Sequence, residues 1–134
     1  MHKGLLACHE GVRVLVVDDE AIIRDNLVSF LEDEHFTVFV ASSAEQALGL
    51  LEQEPVDVGI VDVRLPCMDG NSFILEASRL NPDLKYLIHT GSLEYVLPPE
   101  LRSLGLSERD VLRKPVADMN ILIHAVERLG RPES

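Results

Sequence analysis

The chain has 134 residues, 46% hydrophobic and 26% charged, which fits one domain with a proper core and is far from the charge-rich, apolar-poor signature of disorder. A formal net charge of -11 repels phosphate backbones and anionic membranes, so neither direct nucleic-acid binding nor membrane association is expected. Leu5-Leu6-Ala7-Cys8 is too short for a signal-peptide core, no run approaches membrane-spanning length, and Cys8 and Cys67 lack CxxC spacing, so we expect a cytoplasmic protein with reduced thiols.

Strand-like and helix-like patterns alternate five times. A first strand over Val12 to Val17 is followed by a helix from Glu20 to Glu32, with Ile22, Ile23, Leu27, Phe30 and Leu31 at helical spacing. Phe36 to Val40 is a second strand. Ser42 and Glu45 offer a capping box for a second helix striped by Ala44, Ala47, Leu48 and Leu51 and closed by Pro55. Val56 to Val61 is a nearly continuous apolar strand of the kind covered on both faces. A third helix is predicted from about Gly70 to Leu80, with Met68-Asp69-Gly70 making the turn into it and Gly70 supplying backbone geometry that other residues resist. Leu84 to His89 is a fourth strand. Pro98-Pro99 can only start a helix, giving a short one over Pro99 to Leu104 before Gly105. Val111 to Arg113 is a fifth strand, and a last helix carries Met119, Leu122, Ile123, Val126 and Leu129, stopped by Gly130.

Such βα alternation predicts right-handed crossovers and a doubly wound α/β fold over residues 12–130, with an N-terminal arm (1–11) and a C-terminal tail (131–134). Ligands of this architecture bind beyond the carboxyl ends of the strands, where strand order reverses. Asp18 and Asp19 follow the first strand and Asp62 the third, so three carboxylates would meet at one sheet edge. Three like charges there call for a counter-charge, and a hard divalent cation bound through oxygen suits them.

Val16-Val17-Asp18-Asp19, the stretch from Asp62 through Arg64, Pro66 and Met68 to Gly70, Thr90-Gly91 and Lys114-Pro115 together resemble the receiver domain of two-component response regulators. The resemblance covers roughly Val12 to Leu129. It implies a flavodoxin-like (βα)5 fold with a five-stranded parallel sheet in the order 2-1-3-4-5. It also implies that Asp62 is a phosphoacceptor, served by a histidine kinase or histidine phosphotransfer protein. Mg²⁺ would be held directly by Asp19, through water by Asp18, by Asp62 and by the backbone carbonyl of Arg64. Thr90 and Lys114 would engage the phosphoryl group. Such a protein is a signalling receiver that at most catalyses its own phosphorylation and dephosphorylation, not an enzyme with a released product. Homodimerisation stays open, as do the cognate kinase and the output.

Taken singly, each residue has a plainer role. Asp62 suits a turn, Asp19 a helix cap, Arg64 and Lys114 a solvated surface and Thr90 a strand. His35, His89 and His124 read as satisfied or exposed histidines. Many receivers carry an aromatic three residues before the lysine, where this chain has Val111, which raises an alternative: a docking adaptor whose phosphorylation switching has decayed. A haloacid-dehalogenase-like phosphatase ranks below both, because its first-strand DxD motif is absent.

Overall fold

Side chains alternate along a strand, so an apolar run without polar interruptions must bury both of its faces. The computed structural model describes residues 11–116 and 118–130. It contains β1 (Arg13–Val17), α1 (Ala21–Asp33), β2 (Thr37–Ala41), α2 (Ala44–Leu51), β3 (Val58–Val61), α3 (Gly70–Leu80), β4 (Lys85–Thr90), α4 (Pro99–Ser103), a 3-10 turn (Glu108–Asp110), β5 (Val111–Arg113) and α5 (Met119–Gly130). The strands pair in parallel in the order β2-β1-β3-β4-β5, as expected.

Two cores lie on opposite faces of this sheet. Leu15, Val17, Val61, Tyr86 and Ile88 pack with Ala44 and Ala47 of α2, Phe73, Ile74 and Ala77 of α3 and Leu101 of α4. Val14, Val16, Val58, Ile60 and Leu87 pack with Leu27 and Leu31 of α1 and Leu122, Ile123 and Val126 of α5. Each such fully buried aliphatic side chain contributes ~1.5–3 kcal/mol relative to exposure, which is why these positions dictate the layer order.

Several boundaries differ from the sequence expectation. The N-cap of α2 is Ser43, not Ser42: Ser43 Oγ accepts from Gln46 N at 3.1 Å, and Gln46 Oε1 accepts from Ser42 N at 2.7 Å. The amide at 46 therefore makes the reciprocal contact expected of Glu45, which stays exposed. β3 begins at Val58, and Asp57 before it turns its carboxylate to Arg13, with Oδ2 accepting from N at 2.8 Å and from Nε at 3.0 Å. Gly130 is the last described residue of α5. A Cβ there would stand 2.6 Å from Val12 Cγ1, so its missing side chain lets α5 close onto β1. The expected arm up to residue 10, with Cys8, and the tail 131–134 lie outside the described residues.

Candidate functional site

β1 and β3 are neighbours with Val17 opposite Val61, so Asp18 and Asp62 emerge side by side. Their backbones are pinned by the sheet: Asp18 N donates to Ala41 O at 3.1 Å and Asp62 N to Val17 O at 2.9 Å. Lys114 leaves β5 with its N–H donating to Thr90 O at 2.8 Å, and the Lys114–Pro115 peptide is cis. The Lys114 side chain returns across the sheet edge, with Nζ 2.8 Å from Glu20 Oε1, 3.1 Å from Asp18 Oδ2 and 3.2 Å from Asp62 Oδ2. A cavity of about 370 Å³ opens here, lined by Asp19, Glu20, Asp62, Arg64, Gly91, Ser92 and Lys114.

The loop after β3 holds Asp62 in place. Asp62 Oδ1 accepts from Arg64 N at 3.1 Å, Gly70 N donates to Val63 O at 2.8 Å, and Asp69 caps α3 through Ser72 N at 2.8 Å. A Cβ on Gly70 would collide with the carbonyl oxygen of Asp62, so α3 can start this close only from glycine. A left-handed backbone in this loop occurs at Cys67, with φ 69°.

Asp18 and Asp62 are only 1% and 5% exposed, which makes their charges costly without partners. Burial pushes the Asp62 carboxyl up from its ordinary range and the Asp18 charge adds to this, while the Arg64 N–H and the Lys114 ammonium oppose it. Burial lowers the Lys114 ammonium, but its close contacts with Glu20 and Asp18 and the charges of Asp62 and Asp18 outweigh this and hold it above its ordinary value. Glu20, an exposed side chain, is drawn below its ordinary value by Lys114.

Of the residues singled out from sequence, Asp18, Asp62 and Lys114 are in contact, and Asp19 and Arg64 line the same cavity. Asp19 does not cap α1, whose N-cap is Glu20; Glu20 N donates instead to Asp18 Oδ1 at 2.9 Å. Thr90 is fully buried and is not among the lining residues, its Oγ1 accepting from Ser92 N at 3.1 Å. Two neighbours escaped the sequence reading. Glu20 extends the acidic pair to Asp18-Asp19-Glu20, a visible signal, whereas Arg24, whose Nη1 donates to the Asp18 carbonyl at 2.8 Å, had none. His89 is buried, and among the described residues its Nδ1 has no hydrogen-bond partner.

One oxygen each from Asp18, Glu20 and Asp62 lie within 4.8 Å of one another, a set of hard donors that fits a cation such as Mg²⁺. Asp18 Oδ2 strengthens the fit: it is buried and among the described residues has no hydrogen bond, its 3.1 Å approach to Lys114 being a contact of charge. One ammonium against three carboxylates leaves negative charge that a divalent ion would neutralise.

The family model for the response regulator receiver domain matches residues 14–127. The chain belongs to this family. The receiver is 30% identical over 118 residues to response regulator GtcR of Aneurinibacillus migulanus, covering 88% of this chain and 48% of the relative. It is 29% identical over 114 residues to a protein-glutamate methylesterase/protein-glutamine glutaminase of Paramagnetospirillum magneticum, covering 84% of this chain and 30% of that one. This receiver thus spans about a third to a half of the length of such curated relatives. Among solved structures it is similar to response regulator TrrA of Thermotoga maritima in complex with Mg²⁺-BeF, at 28% identity and TM-score 0.75, covering 88% and 98% of the two chains. It is also similar to the non-phosphorylated HemR receiver domain of Leptospira biflexa, at 27% identity and TM-score 0.75, covering 92% and 99%. Among the described residues, no helix is long and apolar enough to cross a membrane.

Proposed function

We propose that this receiver accepts a phosphoryl group on Asp62 from a histidine kinase or histidine phosphotransfer protein in the cytoplasm, and that the modification alters partner affinity. The observation that carries the reading is Asp62 itself, a buried carboxylate at a cavity edge with an ammonium 3.2 Å away and Asp18 beside it. In the transfer, a carboxylate oxygen of Asp62 attacks phosphorus, the P–N bond to the donor imidazole breaks, and the electron pair leaves with that imidazole.

Lys114 faces the phosphoryl charge as a point cation. Thr90, whose Oγ1 accepts from Ser92 N in this structure, would donate its hydroxyl proton to a phosphoryl oxygen on turning toward Asp62. Asp18, Asp19 and Asp62, with the backbone carbonyl of Arg64, would hold Mg²⁺, and Glu20 stands within reach of the same position. The bound ion supplies charge neutralisation at the phosphoryl oxygens. The Mg²⁺-BeF complex of TrrA supports this assignment by likeness. The methylesterase activity in some relatives' names is theirs, and the match covers 30% of one such protein.

Intact-mass spectrometry after incubation with acetyl phosphate and Mg²⁺ tests the proposal. A phosphoryl adduct on the wild type that is absent in Asp62→Asn is expected; an undiminished adduct in that variant would refute the assignment. The second reading, a docking adaptor without switching, is favoured by Val111, which offers no aromatic ring. Partner binding that is indifferent to an adduct on Asp62 would select it.

A further inference from the structure

The segment joining β4 to α4 is held by one continuous series of hydrogen bonds that starts at Thr90 and ends on α3. Thr90 Oγ1 accepts from Ser92 N at 3.1 Å, and the Ser92 carbonyl accepts from Arg113 Nη1 at 2.6 Å. The other arm of the same guanidinium, Nη2, donates to the Tyr95 carbonyl at 3.1 Å, and the Tyr95 hydroxyl donates to Asn71 Oδ1 at 2.8 Å. Arg113 directly precedes Lys114, so the clamp on this loop and the ammonium beside Asp62 leave β5 together. The Tyr95 phenol, raised by burial to about 12, is protonated at neutral pH, as an unperturbed phenol is, and serves as the donor. Leu93 and Val96, flanking Tyr95, are 84% and 73% exposed. Val111 packs half-buried against the core and has no polar side-chain group with which to join the series.

We propose that Arg113, Tyr95 and Asn71 are positioning residues that carry the phosphorylation state of Asp62 to the surface around Leu93 and Val96. This rests on Asp62 being the phosphoacceptor. Thr90 is buried and does not line the cavity, so to donate to a phosphoryl oxygen its side chain must turn toward Asp62. Its Oγ1 then withdraws from Ser92 N, and an amide stripped of its acceptor drives local rearrangement until it is paired again. Ser92 and Tyr95 are gripped by one planar guanidinium whose donors have fixed geometry, so a shift at Ser92 is passed to Tyr95. Tyr95 then leaves Asn71, and the two exposed apolar side chains on either side of it are presented differently.

The full chain labelled with 3-fluorotyrosine reports this directly by ¹⁹F NMR, because it holds two tyrosines, Tyr86 and Tyr95, and Tyr95→Phe assigns them. Acetyl phosphate and Mg²⁺ are added, and intact mass is read on the same samples. The expected result is an adduct accompanied by a shift of the Tyr95 resonance in the wild type, with the adduct retained and most of that shift lost in Arg113→Ala and Asn71→Ala. An adduct with an unmoved Tyr95 resonance, or a full-size shift in both variants, overturns the relay while leaving the Asp62 assignment intact. If Arg113→Ala does not fold, Asn71→Ala decides: loss of the shift supports the relay, and a full-size shift overturns it. Absence of any adduct on the wild type removes the Asp62 assignment, and the relay falls with it.

Discussion

Lys114 Nζ stands 3.2 Å from Asp62 Oδ2, joining the end of β5 to the end of β3 across 52 positions of chain. The ammonium is largely shielded from solvent, so its charge acts on a carboxylate that is itself buried. This contact restrains a group that burial would otherwise push further toward its neutral form.

Removing that charge exposes the dependence. Lys114→Ala should destabilise the fold by ~3 kcal/mol, since it leaves Asp18 and Asp62 facing each other unpaired. Urea denaturation with and without Mg²⁺ checks it, and added Mg²⁺ should recover more stability in the variant than in the wild type. Equal Mg²⁺ effects in the two proteins would contradict a shared site.

The acidic neighbours should contribute unequally to metal binding. Glu20 is committed to Lys114, whereas Asp19 has no ion pair or side-chain hydrogen bond among the described residues and lines the cavity. Asp19→Asn should weaken Mg²⁺ about 10-fold or more, and Glu20→Gln distinctly less. Metal titrations followed by calorimetry compare them; the reverse order would make Glu20 the ligand.

A methyl group at Gly70 has nowhere to go, because the Asp62 carbonyl occupies its place. Gly70→Ala should cost ~1–3 kcal/mol through overpacking and also slow adduct formation by displacing Asp62. Denaturation midpoints alongside phosphorylation rates separate the two effects, and an unchanged rate would argue that Asp62 is positioned independently of α3.

His89 provides a pH signature. Its imidazole is 4% exposed, and burial, aided by the Lys114 charge, lowers its pKa from 6.5 to about 4. Between these values the unfolded chain binds a proton that the folded chain refuses. Stability is therefore intact above the unfolded value and declines as pH falls through 6.5 toward 4, by roughly 2 kcal/mol at pH 5. In His89→Leu the loss between pH 7.5 and pH 5, measured by urea denaturation, should shrink by about that amount. A slope equal to that of the wild type would assign the acid sensitivity elsewhere.

The layer order was legible because it follows from periodicity alone. The stretches Val14 to Val17 and Val58 to Val61 are apolar throughout and buried on both faces, so they must be central parallel strands, and the acids that follow them must meet at one edge. The same logic put Lys114 there, since a residue just after β5 emerges at the same end of the sheet as those after β1 and β3. The predicted short helix at Pro99 was likewise sound, because proline at a first turn loses no hydrogen bond.

Spacing could not tell which carboxylates share an ammonium, because that depends on rotamers set by packing at the sheet edge. Glu20 therefore joined the cluster unannounced, and Asp19, first in expectation, came to line the cavity outside it. Nor could it separate a glycine needed for left-handed backbone from one needed for close approach: Gly70 and Gly130 both prove to be the second kind. The sequence by itself determined the alternating fold and the chemical types gathered at the sheet edge, since hydrophobic period and strand-end position are local properties of the chain. Only the tertiary structure decided the partnerships, with Lys114 shared among Asp18, Glu20 and Asp62, Thr90 turned to Ser92, and Arg113 bridging Ser92 to Tyr95. Those depend on distances of a few ångströms between residues far apart in the chain, which packing fixes and no local pattern encodes.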